Sequence, residues 1–327
     1  MNHILQKETV RSIFRYAHNF LDSYSFGFIL IIFLPIVFSL GCSDEKIKTI
    51  KIFKDDIKQS NQHPVTESPL RIAIAPVISP GSSLVTYSRL VEYLGRTMNR
   101  RIEPIYPKSY IETNTALKNG MCDIALICTG AYLKALKSGY MEIIAVPVKS
   151  GKPTYNAYII VNKDSDIEDF KQLKGKVFAF TDPLSLTGYY YIAYKLNELG
   201  NKPSDYFNRI VWTKSHDKSI KLVGERFVDG ASVDSIVYDA LSRDNNEYIK
   251  MTKVIEKSMD MGIPPIVVRS DLSTDLKIKI QDVFLYMELN KEGKEILDSL
   301  EIDRFIKPDK TIYESAEQMM RVLGEID

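Results

Sequence analysis

From residue 70 onward, apolar positions recur along the chain with two different periods. Short apolar runs predict strands, as in RIAIAPV and KVFAFT, whereas helical spacing predicts a helix over SSLVTYSRLVEYLGRTM. That spacing places Leu84, Leu90, Val91 and Leu94 on one side of the helix, as an apolar face. The stretch ASVDSIVYDAL fits a strand or a helix equally well. Strands that alternate with helices predict an α/β fold in which each sheet is mixed but mostly parallel and is flanked by helices.

The length of the chain indicates its domain organisation. Its 327 residues exceed what one compact core usually holds, which favours two lobes joined by two crossover segments over a single long α/β domain. We predict the crossovers near residues 152–158 and 256–265, where turn residues meet strand patterns. The predicted parts are a signal peptide (1–41), a flexible tether (42–69), a first lobe (70–154 and 259–327) and a second lobe (155–258).

The N-terminal region has a pattern of its own. Residues 26–40, FGFILIIFLPIVFSL, form an uncharged apolar run that follows several basic residues. The run is shorter than the roughly 20 residues that span a membrane and contains Pro35, which favours a secretory signal over an uncleaved anchor. Gly41 precedes Cys42, and this arrangement resembles a bacterial lipoprotein signal. The resemblance implies that Cys42 is lipidated and that the following chain is extracytoplasmic, in the cell envelope, attached to a membrane.

Composition narrows the possible function classes. The formal net charge is +1, and 45% hydrophobic with 26% charged residues is typical of a globular protein. Without a basic excess, nothing in the charge favours a nucleic-acid partner. Cys122 and Cys128 are about 20 Å apart along one strand-like run, too far to pair within it. With no histidine nearby, they are predicted to be buried core residues rather than metal ligands, and no cofactor is expected.

The segment from Thr181 to Gly188, TDPLSLTG, places several small polar residues at a helix start, directly after a predicted strand. The unpaired N–H groups and positive end of a helix bind anions, and the hydroxyls of Ser185 and Thr187 can add donors. Leu186 would contribute its N–H, and Gly188 would let the backbone approach a ligand closely. Simple helix capping by Ser185 or Thr187 is the alternative, and the residues alone leave both open. No Walker-type lysine motif follows, so nucleotide hydrolysis is not indicated.

Three further loops carry candidate residues after predicted strands. Tyr110 follows RIEPIYP, Thr129 and Gly130 follow DIALIC, and Ser215 and His216 follow RIVWTK. Ligands of open α/β sheets bind outside the carboxyl ends of the strands, where these loops are expected to meet. A helix start disfavours a charged imidazole ring, so His216 would donate a neutral N–H to an anion. Each residue also fits an ordinary role, as a core tyrosine, a helix cap or an exposed loop histidine.

Longer segments of the chain carry a family resemblance. The most specific combination is Gln172-Leu173-Lys174-Gly175-Lys176 followed by Asp182-Pro183-Leu184-Ser185-Leu186-Thr187-Gly188. Together with LKNGMCDIALICTGAYLKAL and IPPIVVRSDL, it makes residues 70–305 resemble the periplasmic phosphate/phosphite/phosphonate-binding proteins of ABC transporters. These proteins are the phosphonate-binding branch of the type II solute-binding fold, and the resemblance implies that two-lobed fold here.

The resemblance also implies roles for particular residues. In the family, the turn that matches Ser185, Thr187 and the N–H of Gly188 holds the phosphonate oxygens. A first-lobe tyrosine, a crossover tyrosine and a histidine of the family match Tyr110, Tyr155 and His216.

Two departures from the family pattern bear on the ligand. Leu186 stands where members commonly have a hydroxyl residue, so one donor is missing. Members that bind aminophosphonates place acidic residues near the ligand amine, and here only Asp234 could face a cationic group. Asp234 is equally suited to a structural hydrogen bond. A compact oxyanion is therefore expected rather than an aminated ligand.

The function implied by these resemblances is solute binding without catalysis. A monomeric, lipid-anchored protein would capture phosphonate, phosphite or phosphate between two lobes and deliver it to an ABC permease. One alternative is a sensor that reports the same ligand to a membrane receptor. A second alternative is a hydrolase that uses Ser185, His216 and Asp234 as a triad. No Gly-x-Ser-x-Gly elbow surrounds Ser185, which disfavours the hydrolase.

Overall fold

Two β-sheets organise the part of the chain that the computed structural model describes, residues 68–327. The predicted signal peptide, the lipidation residue Cys42 and nearly all of the predicted tether lie outside the described residues. Within residues 68–327, no helix combines the length and apolar character needed to cross a membrane. The described strands are β1 (Leu70–Ile74), β2 (Ile102–Ile105), β3 (Ile124–Leu126), β4 (Met141–Val148), β5 (Thr154–Tyr155), β6 (Ala157–Asn162), β7 (Val177–Phe180), β8 (Arg209–Trp212), β9 (Gly230–Asp234), β10 (Thr252–Lys257), β11 (Met261–Gly262), β12 (Ile266–Arg269) and β13 (Arg304–Ile306).

Helices connect most of these strands. The described α-helices are α1 (Pro80–Met98), α2 (Tyr110–Lys118), α3 (Thr129–Ala135), α4 (Tyr191–Glu198), α5 (Pro203–Tyr206), α6 (His216–Gly224), α7 (Ser235–Arg243), α8 (Thr274–Leu285), α9 (Lys291–Leu300) and α10 (Glu314–Val322). Short 3₁₀ segments lie at Leu136–Ser138, Phe170–Leu173, Ile249–Met251, Met287–Leu289 and Lys310–Tyr313, and a π-helical turn spans Leu186–Tyr190. The ambiguous stretch ASVDSIVYDAL is both predicted elements in succession, since β9 ends at Asp234 and α7 begins at the next residue.

The prediction of an α/β fold with mixed sheets is confirmed. A six-stranded sheet has the order β13-β4-β12-β3-β1-β2, and a five-stranded sheet has the order β10-β6-β9-β7-β8. The prediction that parallel pairing would predominate is wrong. Only β1–β2, β1–β3, β7–β8 and β7–β9 are parallel, and the other pairs within both sheets are antiparallel. The reason is visible in the first sheet, where β12 returns from the far end of the chain and inserts antiparallel between β3 and β4.

A short two-stranded ribbon carries the chain between the two sheets. β5 and β11 pair antiparallel, with Tyr155 opposite Met261 and Thr154 opposite Gly262. Strands β1 to β4 precede this ribbon, β6 to β10 lie between its two strands, and β12 and β13 follow it. We call the part built on the six-stranded sheet the first lobe and the part built on the five-stranded sheet the second lobe. The residue boundaries given above for the lobes stay predictions.

Each sheet is covered by apolar side chains of the flanking helices. In α1, Leu90, Val91 and Leu94 are buried as predicted, whereas Leu84 is 54% exposed, which contradicts the sequence pattern. The physical reason is that residues 80–86, at the start of α1, are exposed apart from Ser83, so the apolar side of the helix becomes buried only farther along. Cys122 and Cys128 are free and buried, as predicted.

Candidate anion-binding site

The turn after β7 separates the roles of two hydroxyl residues. Ser185 precedes the π-helical turn, and its Oγ accepts a hydrogen bond from the N–H of Gly188 at 3.0 Å. Ser185 therefore caps the helix and takes up the Gly188 N–H, and a ligand-binding role for that N–H stays a prediction. The Oγ1 atom of Thr187 is buried and has no hydrogen-bond partner. The N–H groups of Leu186 and Thr187 lie in the first turn, where no intrahelical acceptor exists.

Two glycines permit close packing around this turn. A Cβ atom on Gly188 would lie 2.5 Å from the Oγ1 of Thr181 and 2.8 Å from the Oγ of Ser185. A Cβ atom on Gly130, in the first lobe, would lie 2.9 Å from the Leu186 nitrogen in the second lobe. Gly130 thus allows the two lobes to touch at the turn, which is a packing role. The Leu186 side chain is fully buried in the apolar core, so only its backbone could serve a ligand.

His216 begins α6 as a buried, neutral imidazole. Its Nδ1 accepts a hydrogen bond from the N–H of Asp234 at 3.0 Å and lies 3.1 Å from the Oγ1 of Thr181. Because Nδ1 accepts, the single proton of the neutral ring is on Nε2. Burial lowers the pKa of His216 to about 3, so the ring carries no charge near neutral pH. His216 can offer an anion a neutral N–H donor.

The Asp234 carboxylate serves first as a helix cap. Its Oδ1 accepts from the N–H of Ile236 at 2.7 Å at the start of α7. Burial raises the pKa of Asp234 to about 7. Within residues 68–327, no hydrogen bond joins the Asp234 carboxylate to His216 or His216 to Ser185, so the arrangement is not a catalytic triad.

The two predicted tyrosines bring the first lobe and the ribbon into the same cluster. Tyr110 and Tyr155 are buried, and neither hydroxyl has a partner. Burial raises the pKa of each far above its ordinary value, and the nearby Asp234 carboxylate raises both further. Thr129 lies beside Tyr155, but its own hydroxyl already donates to the Gly262 carbonyl at 2.9 Å. Thr129 therefore ties α3 to the ribbon.

Hydrogen bonds across the space between the lobes also involve residues that the sequence pattern does not mark as site residues. The carboxylate of Asp182 accepts from the N–H of Tyr110 at 3.1 Å. In the loop after β1, the Val77 carbonyl accepts from the His216 N–H at 3.0 Å, and the Ser79 N–H donates to Asp217 at 3.0 Å. Asp182 belongs to the recognised motif, and its position after a strand was the only available signal for its role.

Most of the unpaired buried hydroxyls belong to segments that meet between the lobes. Six buried side-chain atoms of the described residues lack a hydrogen-bond partner, and four of them are the Oη atoms of Tyr110 and Tyr155, the Oγ1 of Thr187 and the Oγ of Ser215. A buried hydroxyl without a partner costs about 1–3 kcal/mol, so such a concentration points to a polar ligand. The described residues contain no cluster of three or more His, Cys, Asp or Glu side chains suited to a metal ion. The neutral donors suit an anion.

Comparison with known proteins identifies the family. The model of the family described as "ABC transporter, phosphonate, periplasmic substrate-binding protein" matches residues 72–313, which is well over half of the 327 residues. The chain belongs to this phosphonate-binding family. The resemblance noted in the sequence is confirmed, and the family is one of solute-binding transport proteins.

Several relatives of this phosphonate-binding protein are known. The phosphonates-binding periplasmic protein of Escherichia coli (strain K12) is 26% identical over 239 residues, 72% of this chain and 70% of the relative. A binding protein of an ABC phosphonate transporter from Pseudomonas aeruginosa superposes with a TM-score of 0.74 at 23% identity, over 79% of this chain and 88% of that one. PhnD1 of Prochlorococcus marinus, solved with methylphosphonate, gives 0.71 at 20% identity, over 79% and 99%. These superpositions confirm the type II periplasmic-binding fold.

Membership in the family establishes the general function of the chain. This phosphonate-binding protein is the extracytoplasmic, substrate-binding component of an ABC transporter, which binds a small ligand and works with permease subunits.

Proposed function

We propose that the chain captures a phosphonate, phosphite or phosphate oxyanion where its two lobes meet and delivers it to an ABC permease as a monomeric, non-enzymatic carrier. The observation that carries the proposal is the set of four partnerless buried hydroxyls. Tyr110 comes from the first lobe, Tyr155 from the ribbon, and Thr187 and Ser215 from the second lobe. An oxyanion between them would satisfy all four atoms at once.

The neutrality of the donors explains how such a site would work. Hydroxyl donors, the Nε2–H of His216 and the N–H of Thr187 would stabilise negative charge without a buried cation. Neither lobe holds the complete set, so the full hydrogen-bonding shell exists only when the lobes close on the ligand. The closed arrangement is then the signal that a permease recognises.

The Thr187→Val variant tests the site directly. Valine keeps the branched shape and removes only the unpaired hydroxyl, so the free protein should be as stable as wild type or slightly more stable. We expect the affinity for methylphosphonate to fall by about 1–3 kcal/mol, the usual loss for a hydrogen bond to a charged group, in isothermal titration calorimetry.

The matched control for this variant is Thr252→Val, in the same lobe. The Thr252 hydroxyl lies 3.0 Å from the Tyr238 hydroxyl and donates to the Ile249 carbonyl at 3.0 Å. Its removal should lower the melting temperature and leave the affinity unchanged. Wild-type affinity in Thr187→Val would refute the proposed site.

Attachment to a membrane is a second part of the proposal, and it depends on Cys42. A lipidated cysteine would tether the binding lobes close to the permease. Cys42→Ser should release the protein into the soluble fraction of spheroplasts, while the unchanged chain sediments with membranes. Continued sedimentation of the variant would favour an uncleaved anchor over residues 26–40.

A further inference from the structure

A cavity of about 900 Å³ opens between the lobes beside the candidate site. The cavity is lined by the beginning of α1, by α6 and α7, and by the segment between β11 and β12. Drug-sized ligands occupy cavities of about 300–1,000 Å³, far more than the oxygens of one oxyanion require. Apolar side chains that line the cavity include Leu90, Leu126, Val237, Leu241, Ile263 and Phe305.

The cavity is lined by chain neighbours of the candidate site, whereas the four hydroxyl residues themselves do not line it. Asp217 lines it and directly follows His216, whose backbone bonds to the first lobe. Ile236 also lines it, and its N–H donates to Asp234. Tyr87 lines it as well, and its pKa is raised to about 12 by burial and then by the Asp234 carboxylate. A molecule whose anionic end binds the hydroxyls would therefore extend past Asp234 into the cavity.

The charged groups of the cavity wall are engaged with other groups or lie at the surface. The Asp217 carboxylate accepts from the Ser79 N–H. Glu301 pairs with Lys149 and with Arg243 of the other lobe. The remaining lysines and Asp244 of the wall are exposed at the rim. A charged substituent would meet no uncommitted opposite charge in the interior, whereas an apolar one would be removed from water.

We propose that the ligand is a monosubstituted phosphoryl oxyanion with an uncharged apolar substituent, whose oxygens bind the hydroxyl cluster and whose substituent fills this cavity. The inference rests on the proposed function, since the cluster must hold the oxyanion. An alkylphosphonate and an alkyl phosphate ester share this chemistry. Burial of an alkyl chain in the cavity would add affinity in proportion to its length.

A series of n-alkylphosphonates from methyl to hexyl tests the inference by calorimetry with the purified protein. We expect affinity to rise about fourfold for each methylene that enters the cavity. Affinity that is flat or falls beyond methyl would overturn the inference and leave the proposed function standing. Failure of methylphosphonate, phosphite and phosphate to bind would refute both. A parallel arm with hexyl phosphate distinguishes phosphonates from esters, and a gain in either arm supports the cavity's role.

A variant that fills the cavity makes the test specific. Ala240 lines the cavity on α7, and Ala240→Trp should reduce hexylphosphonate to the affinity of methylphosphonate while methylphosphonate binds as before. Ser242→Trp is the matched control, because Ser242 is exposed on the same helix and does not line the cavity. An undiminished chain-length gain in Ala240→Trp would overturn the inference. Methylphosphonate affinity in each variant reports that the site is folded.

Discussion

Replacing Gly130 by alanine is expected to lower the affinity for methylphosphonate about a hundredfold while the protein stays folded. A Cβ atom here would lie 2.9 Å from the Leu186 nitrogen and closer still to the Leu184 carbonyl oxygen. Both are backbone atoms of the opposite lobe, so no side chain can rotate away. Overpacking costs about 1–3 kcal/mol or more, and separation of the lobes relieves it. The variant should therefore favour separated lobes, in which the anion shell is incomplete.

Calorimetry together with small-angle X-ray scattering measures both parts of this expectation. Methylphosphonate should make the wild-type protein more compact and should leave the outline of Gly130→Ala unchanged. Gly81→Ala is the matched control, because a Cβ atom there meets nothing within 4 Å. Wild-type affinity and compaction in Gly130→Ala would contradict the packing role of Gly130.

The second large effect concerns Asp234 and His216, whose pKa values are displaced in opposite senses. The folded pKa of Asp234 is about 7 against about 3.9 in an unfolded chain, so its contribution is fully present below pH 4 and is lost as pH rises toward 7. The folded pKa of His216 is about 3 against about 6.5 unfolded, so its contribution is present above pH 6.5 and is lost as pH falls toward 3. Between about pH 4 and 6.5, the pH dependence of the free energy of unfolding due to Asp234 therefore nearly cancels the one due to His216.

The Asp234→Asn variant should show the pH dependence of the free energy of unfolding that His216 alone causes. Asparagine keeps the cap on α7 and does not titrate. Relative to wild type, the free energy of unfolding of the variant should rise by about 1.4 kcal/mol per pH unit from about pH 4 to 6.5. His216→Asn should show the opposite relative slope. Urea titrations across this range measure both, and an Asp234→Asn curve parallel to wild type would show that the Asp234 carboxyl is not buried as described.

The sequence was sufficient for the elements of the fold and less so for their pairing. Apolar periodicity identified the strands that lead to Tyr110, Thr129 and His216, because buried strands and helix faces leave regular patterns. It did not show that β12 inserts antiparallel between β3 and β4, since strand order depends on contacts between distant segments. It also placed Leu84 on the apolar face of α1, because periodicity does not reveal where the sheet beneath a helix ends.

At the site, the residue types could be predicted from the sequence, but the separate role of each residue could not. Ser185 and Thr187 are equivalent in the sequence, and only the start of the π-helical turn decides which hydroxyl receives the Gly188 N–H. The tautomer of His216 depends on the N–H of Asp234, a neighbour from another strand. The apolar cavity combines α1, α7 and the segment after β11, so no local motif could have indicated it.

Tyr155, one of the four residues with an unpaired hydroxyl, lies in the connection about which the lobes would pivot. Tyr155 belongs to the β5–β11 ribbon, about which the two lobes would rotate. A residue at a pivot moves little, so the Tyr155 hydroxyl would be available to the anion whether the lobes are open or closed. Tyr110 and Thr187 lie on opposite lobes, so their hydroxyls would contact one anion together only when the lobes close. We therefore expect the anion to bind weakly to Tyr155 first and to be fully enclosed only when the lobes close, and only the closed lobes would present a changed surface to a permease.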